Sequence, residues 1–275
     1  QSMNVQNEEM MKYKDEVLFT GYTELESNSK VKALFKADNR VLEADGKVIL
    51  VLDKTPFYGN MGGQIGDKGE ILLNGETFDV DDTIKLPNGQ NALVVSMNES
   101  IIKVGDEVKC IVNKERRNDI EKNHSATHLL NEALRKIIGS HVTQQGSNVS
   151  EECLRFDFNN FTPLTNEEIL NVEKLVKEQI NKELQVNKKL GVQAVFGEKY
   201  GKVVRVVDMD FSKELCGGTH VNNTKDIIDF AILNIESKGS GIFRITAATG
   251  NKVVEAIETE LENTYKEINL LNNKA

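Results

Sequence analysis

Hydrophobic residues fall along this chain in two rhythms. Up to about residue 112 they come in short runs. Lys47-Val48-Ile49-Leu50-Val51-Leu52 is almost continuously apolar, the pattern of a buried strand. Val17–Tyr22, Val31–Phe35, Gly69–Leu73, Thr77–Val80, Leu93–Ser96 and Glu107–Val112 are further candidate strands. Asp45-Gly46, Asn74-Gly75 and Pro87-Asn88-Gly89 supply turns between them. Short strands with regular turns predict a small β-barrel or closed sheet over about residues 15–112, in a first domain of residues 1–112. Residues 1–14 are polar, either helical or loose.

From Lys114 the rhythm changes. Ala126, Leu129, Leu130, Ala133, Leu134 and Ile137 recur at helical period and predict a helix that stops at Gly139. Two strands follow, at His141–Val149 and Leu154–Phe158; in the second, Leu154, Phe156 and Phe158 alternate with Arg155 and Asp157. Thr165-Asn166-Glu167-Glu168 is a capping box that opens a helix to about Leu184, with Ile169, Val172, Leu175, Val176 and Ile180 as its apolar stripe. Val203–Val207, Ile227–Ile235 and Ile242–Ala248 read as strands, which makes residues 113–250 a strand-rich domain with helices. Residues 251–275 carry Val253, Val254, Ile257, Leu261, Tyr265, Ile268 and Leu271 at helical spacing. That last helix is either docked on its own domain or the start of a coiled coil that would support a homodimer. The expected fold class is α+β: a small N-terminal β-barrel, a two-layer α+β domain and a C-terminal helix.

Composition narrows the class. Hydrophobic content of 39% with 28% charged residues is that of an ordinary globular chain. No run approaches the roughly 18 apolar residues of a membrane span, and no apolar signal segment opens the chain, so the expectation is a cytoplasmic protein without a membrane partner. If the opening Gln1-Ser2-Met3 is an appended remnant, the chain is an excised piece of a longer protein. Three cysteines, Cys110, Cys153 and Cys216, form no disulfide framework and fit a reducing compartment. A net charge of −9 restricts any nucleic-acid contact to a local surface. The most basic stretch is Arg116, Arg117, Lys122, Arg135 and Lys136 on the first long helix, either a phosphate surface or a solvated helix face. Aromatic content of 6% without tryptophan argues against a base-stacking platform.

The candidate chemistry lies in two short segments. Three of the four histidines fall in Asn123-His124-Ser125-Ala126-Thr127-His128 and Cys216-Gly217-Gly218-Thr219-His220. His124 and His128, four apart, share a helix face opposite the apolar stripe, beside Asn131 and Arg135. Cys216 and His220 repeat the spacing around two glycines, which makes a tight loop and not a helix. Three imidazoles and one thiolate are a zinc set; the thiolate argues against magnesium or calcium. Satisfied core histidines, or a solvated polar face, would leave the Cys-Gly-Gly-Thr-His loop unexplained. Within the barrel, five glycines crowd into Thr55–Gly69 around Gly62-Gly63-Gln64. On glycine count this is a hairpin connection; a Gly-Gly-Gln tip can also orient a water at an ester carbonyl.

Taken together, Phe57-Tyr58, Gly62-Gly63-Gln64, Gly66-Asp67-x-Gly69, His124–Leu130, Gln145-Gly146-Ser147, Leu154–Phe158 and Cys216–His220 resemble the editing region of bacterial alanyl-tRNA synthetase. The likeness runs from about Val17 to Gly250, and free-standing alanyl-tRNA editing factors are related to it. Phe19-Thr20-Gly21-Tyr22 and the terminal helix favour the synthetase over those factors. One departure is that Gly59, Asn60 and Met61 precede Gly-Gly-Gln where the family often has small and acidic residues. Nothing resembles an ATP-binding aminoacylation core.

The resemblance implies an aminoacyl-tRNA deacylase that proofreads seryl- and glycyl-tRNA for alanine. Zinc would be held by His124, His128, Cys216 and His220. Gln64 and Thr127 become the catalytic candidates. Gly62, Gly63, Gln145, Gly217, Gly218 and Arg244 become contacts for the substrate and the tRNA end. The implied partners are the acceptor end of alanine tRNA and the remaining domains of a synthetase. The alternatives are a free-standing trans-editing factor and a zinc-stabilised tRNA-binding module without chemistry.

Overall fold

Along the strand Glu26–Lys36, inward and outward positions alternate from Glu26 to Lys32, burying Ser27, Ser29 and Val31, and after a register shift Ala33, Leu34 and Phe35 are buried in succession. This strand (β1) opens a closed sheet in the computed structural model, which describes residues 8–193 and 202–274. Residues 1–7 of the polar opening lie outside the described residues. The chain gathers into two compact units, residues 8–61 with 65–117 and residues 62–64 with 118–274.

In the first unit, β1 is followed by β2 (Lys47–Leu52), β3 (Gly69–Leu73), β4 (Glu76–Lys85), β5 (Asn91–Ser96) and β6 (Glu107–Val112). The order is β6-β3-β4-β5-β2-β1, and β1 pairs back with β6, so six antiparallel strands close into a barrel. Val31, Leu50, Leu52, Ile71, Leu93 and Val95 fill its core.

Two strands run longer than their apolar residues suggest. β1 starts at Glu26 because Ser27 and Ser29 take inward places and hydrogen-bond each other at 2.8 Å. β4 continues past Val80 through a register shift, and Thr83 is buried with its hydroxyl donating to Asp67 O at 2.8 Å. The strand expected over Val17–Tyr22 shrinks to Leu18–Phe19, beside Lys54–Thr55, because the chain turns at Gly21.

Arg117 also departs from expectation. It is 2% exposed, and its guanidinium grips both Asp67 carboxylate oxygens and the carbonyls of Gly21 and Pro56. A buried arginine needs such a partner, so Arg117 is withdrawn from any phosphate surface.

The second unit is built on α1 (Lys114–Ile137), whose first four residues close the first unit. Ala126, Leu129, Leu130, Ala133 and Leu134 are fully buried. They share one core with Leu154, Phe156 and Phe158 of β8 (Leu154–Asn159), which pairs with β7 (Gln144–Val149). Val172, Val176 and Ile180 join that core from α2 (Asn166–Asn181).

The predicted capping box is present: Thr165 accepts from Glu168 N–H and Glu168 accepts from Thr165 N–H. The helix ends three residues before Leu184, because Glu183 takes a left-handed backbone, φ 51°. Ile137, placed on the α1 stripe, is instead 36% exposed in the last turn.

A three-stranded sheet follows, β9 (Asn187–Gln193), β10 (Lys202–Asp208) and β11 (Lys213–Leu215), each antiparallel to its neighbour. β12 (Phe230–Gly239) and β13 (Ile242–Thr249) complete the first sheet of this unit in the order β7-β8-β13-β12. β12 starts later than Ile227 because Thr224–Ile227 is a short 3-10 turn capped by Asn223. The last helix, α3 (Lys252–Asn272), buries only Val253; Val254, Ile257, Leu261, Tyr265, Ile268 and Leu271 are exposed. Among the described residues no helix is long and apolar enough to cross a membrane.

Candidate metal centre

The two histidine segments meet inside the second unit. The metal-binding atoms of His124, His128, Cys216 and His220 all lie within 4.8 Å of one another. α1 supplies the first two from successive turns of one face. β11 ends at Leu215 and delivers Cys216 at the start of the loop that carries Gly217, Gly218, Thr219 and His220. Arg205 on β10 braces that loop, its guanidinium donating to Gly218 O at 2.5 Å and Cys216 O at 3.5 Å.

Each imidazole has one nitrogen toward the cluster and one held outside it. Cys216 Sγ lies 3.4 Å from His124 Nε2 and 3.3 Å from His220 Nε2. His128 Nε2 is buried with no hydrogen-bond partner among the described residues. On the far sides, His128 Nδ1 lies 2.9 Å from Glu214 Oε2, His220 Nδ1 lies 3.1 Å from Ser125 Oγ, and His124 Nδ1 lies 2.7 Å from Gln64 Oε1. Asn131 in turn donates to Glu214 Oε1 at 2.9 Å. A second partner on each histidine fixes its ring, as metal sites require.

Two glycines make the close packing feasible. A Cβ on Gly218 would stand 2.0 Å from His124 Cε1. Gly63 has φ +85°, and a Cβ there would stand 2.5 Å from Ser147 Oγ. With Gly63 O accepting from Val149 N–H at 2.7 Å, the Gly62-Gly63-Gln64 segment runs along β7 and delivers Gln64 to His124.

Charge is distributed unevenly over the four donors. Burial pushes the Cys216 thiol up, but the imidazoles of His124 and His128 beside it outweigh burial and carry the thiol down to about 5. Burial disfavours a charged His128, but the Cys216 sulfur and the Glu214 carboxylate on either side raise it to about 9. Burial lowers His124, and burial with the charges of His124 and His128 holds His220 well below the ordinary imidazole range. A thiolate and imidazole nitrogens at this spacing fit a soft divalent ion, and the orphaned His128 Nε2 is what a bound metal would satisfy.

The other site residues named from sequence are placed as follows. Gln64 is 0% exposed and part of the cluster's surroundings. Thr127 is buried beside the two histidines, with its hydroxyl donating back to Asn123 O at 2.8 Å. Gly62 and Gly217 are exposed. Gln145 is exposed on β7 and donates to Thr143 Oγ1 at 2.9 Å. Arg244 pairs with Asp157 across β13 and β8, at 2.8 and 3.0 Å.

Sequence reasoning missed Glu214, Ser125, Thr219 and Arg205. The first had a signal: a carboxylate two residues before a candidate ligand is a natural partner for a neighbouring histidine.

Comparison with known proteins places the segment. A family model described as tRNA synthetases class II (A) matches residues 1–116. A second, the threonyl and alanyl tRNA synthetase second additional domain, matches residues 204–246, which include Cys216 and His220. The alanine–tRNA ligase of Acholeplasma laidlawii is 44% identical over 272 residues, covering 95% of this chain and 30% of that protein. That of Streptococcus agalactiae is 45% identical over 282 residues, covering 97% of this chain and 32% of that protein. That of Listeria innocua is 44% identical over 278 residues, covering 97% and 32%. The chain thus spans about a third of the length of the relatives it matches. It belongs to the alanyl-tRNA synthetase family, as a segment corresponding to the editing region of those enzymes.

Proposed function

We propose that this segment removes wrongly attached serine or glycine from alanine tRNA by hydrolysing the aminoacyl ester. The observation that carries the reading is the four-donor cluster, half of it in the segment matched to the second additional domain, with Gly62–Gln64 lying against it.

The need for such a site follows from size. A pocket for alanine cannot exclude smaller glycine, and serine adds only one hydroxyl. Discrimination of that kind is limited to about 1–3 kcal/mol, so a second sieve is required. The ester is already activated, and the remaining tasks are to place the acyl group, place a water and stabilise an oxyanion. In this reading Gly62, Gly63, Gly217 and Gly218 bring backbone close to the aminoacyl end, and Gln145 and Arg244 contact the tRNA end. Thr127 serves the pocket beside His124 and His128.

His124, His128, Cys216 and His220 would hold zinc. A bound zinc supplies a Lewis acid, but four protein donors complete a tetrahedron, the pattern of a site that builds structure. The metal therefore shapes the pocket in this account.

A second reading, a zinc-stabilised tRNA-binding module without chemistry, is favoured by one observation: Gln64 is wholly buried and already hydrogen-bonded. Incubating the protein with seryl-, glycyl- and alanyl-tRNA for alanine separates the two. Release of serine and glycine with alanine retained is expected. Binding of all three without release, in a folded and zinc-loaded sample, would establish the module instead.

A further inference from the structure

Gln64 carries an amide whose orientation the surrounding donors fix. Thr219 N–H can only donate, and it points at the Gln64 side-chain oxygen at 2.9 Å. The Gln64 amide nitrogen in turn donates to Thr219 Oγ1 at 2.8 Å. The oxygen is therefore Oε1, an acceptor, and it lies 2.7 Å from His124 Nδ1. A neutral imidazole facing an acceptor must carry its proton on that nitrogen. The lone pair of His124 is then on Nε2, on the side of Cys216 Sγ.

We infer that Gln64 is a positioning residue that locks His124 in the Nδ1–H tautomer and so sets the affinity of the four-donor cluster for a divalent metal. Oε1 accepts from both Thr219 N–H and His124 Nδ1–H, which uses both its lone pairs. With 0% exposure, Gln64 does not hold the reacting water. Its two bonds to Thr219 and one to His124 tie α1 to the Cys-Gly-Gly-Thr-His loop, the two elements that supply the donors. Gly218 belongs to the same device, since a Cβ there would reach 2.4 Å from His124 Nδ1 and 2.8 Å from Gln64 Oε1. The inference rests on the metal reading of the cluster and not on ester hydrolysis.

Zinc titration of the parent protein, Q64L and Q64E against a competing chelator tests it, with nitrogen-15 NMR of the imidazoles reporting the His124 tautomer. Q64L, which has no acceptor, is expected to lose about ten- to a hundred-fold in zinc affinity and the single tautomer pattern. Q64E keeps an acceptor toward Thr219 N–H and His124 and is expected to retain both. Parental affinity and tautomer in Q64L would overturn the inference, and loss of hydrolysis alone in that variant would return Gln64 to the reacting water. Equal loss of affinity in Q64E and Q64L would also overturn it, since the acceptor would then not be what matters. A parent protein that binds no zinc would instead refute the metal reading itself.

Discussion

At pH 7 the four donors are not in the same charge state. Cys216, carried down to about 5, is a thiolate, and burial keeps His124 and His220 neutral. His128, raised to about 9, holds a proton that it must lose before Nε2 can bind a metal. Zinc loading at neutral pH should therefore expel about one proton per site. Apparent zinc affinity therefore rises about tenfold per pH unit between pH 5 and 9 and levels above. Below pH 5 Cys216 also takes a proton and the fall steepens. Calorimetric titration in buffers of different ionisation heat reads the proton count directly; no proton release would contradict this charge assignment.

Two helices show how differently apolar residues are used. Leu130 on α1 is fully buried in the core of the second unit, whereas Leu261 on α3 is 56% exposed. Leu130→Ala should cost about 2–5 kcal/mol in denaturant unfolding. Leu261→Ala should change the stability of the monomer by no more than about 0.5 kcal/mol. A large loss from Leu261→Ala would mean that the exposed face of α3 is covered in solution.

The same contrast marks what could be read from the chain beforehand. The α1 stripe, the Thr165 capping box and the alternation over Leu154–Phe158 were legible because each is a local repeat. The inward serines of β1, the buried Arg117–Asp67 pair and the Glu214 contact to His128 were not. The last two join polar groups far apart along the chain, which no local pattern announces, and the two serines, polar and bonded to each other, carry no hydrophobic signal. The four donors were legible from residue type and spacing, while the Gln64 contact joins positions 60 residues apart.

On the scale of the whole molecule, the segment has a net charge of −9, and it spans about a third of its relatives' length. Any grip on a tRNA is then confined to a local surface, and the proposed chemistry lies at the cluster. The most direct test is the single-turnover rate of serine release from seryl-tRNA for alanine, followed as zinc per chain is stripped and restored. The rate is expected to fall as zinc is removed and to return on reloading, while alanyl-tRNA stays intact throughout. Serine release that is absent from the fully loaded, folded protein, or hydrolysis of alanyl-tRNA equally well, would contradict the proposed function.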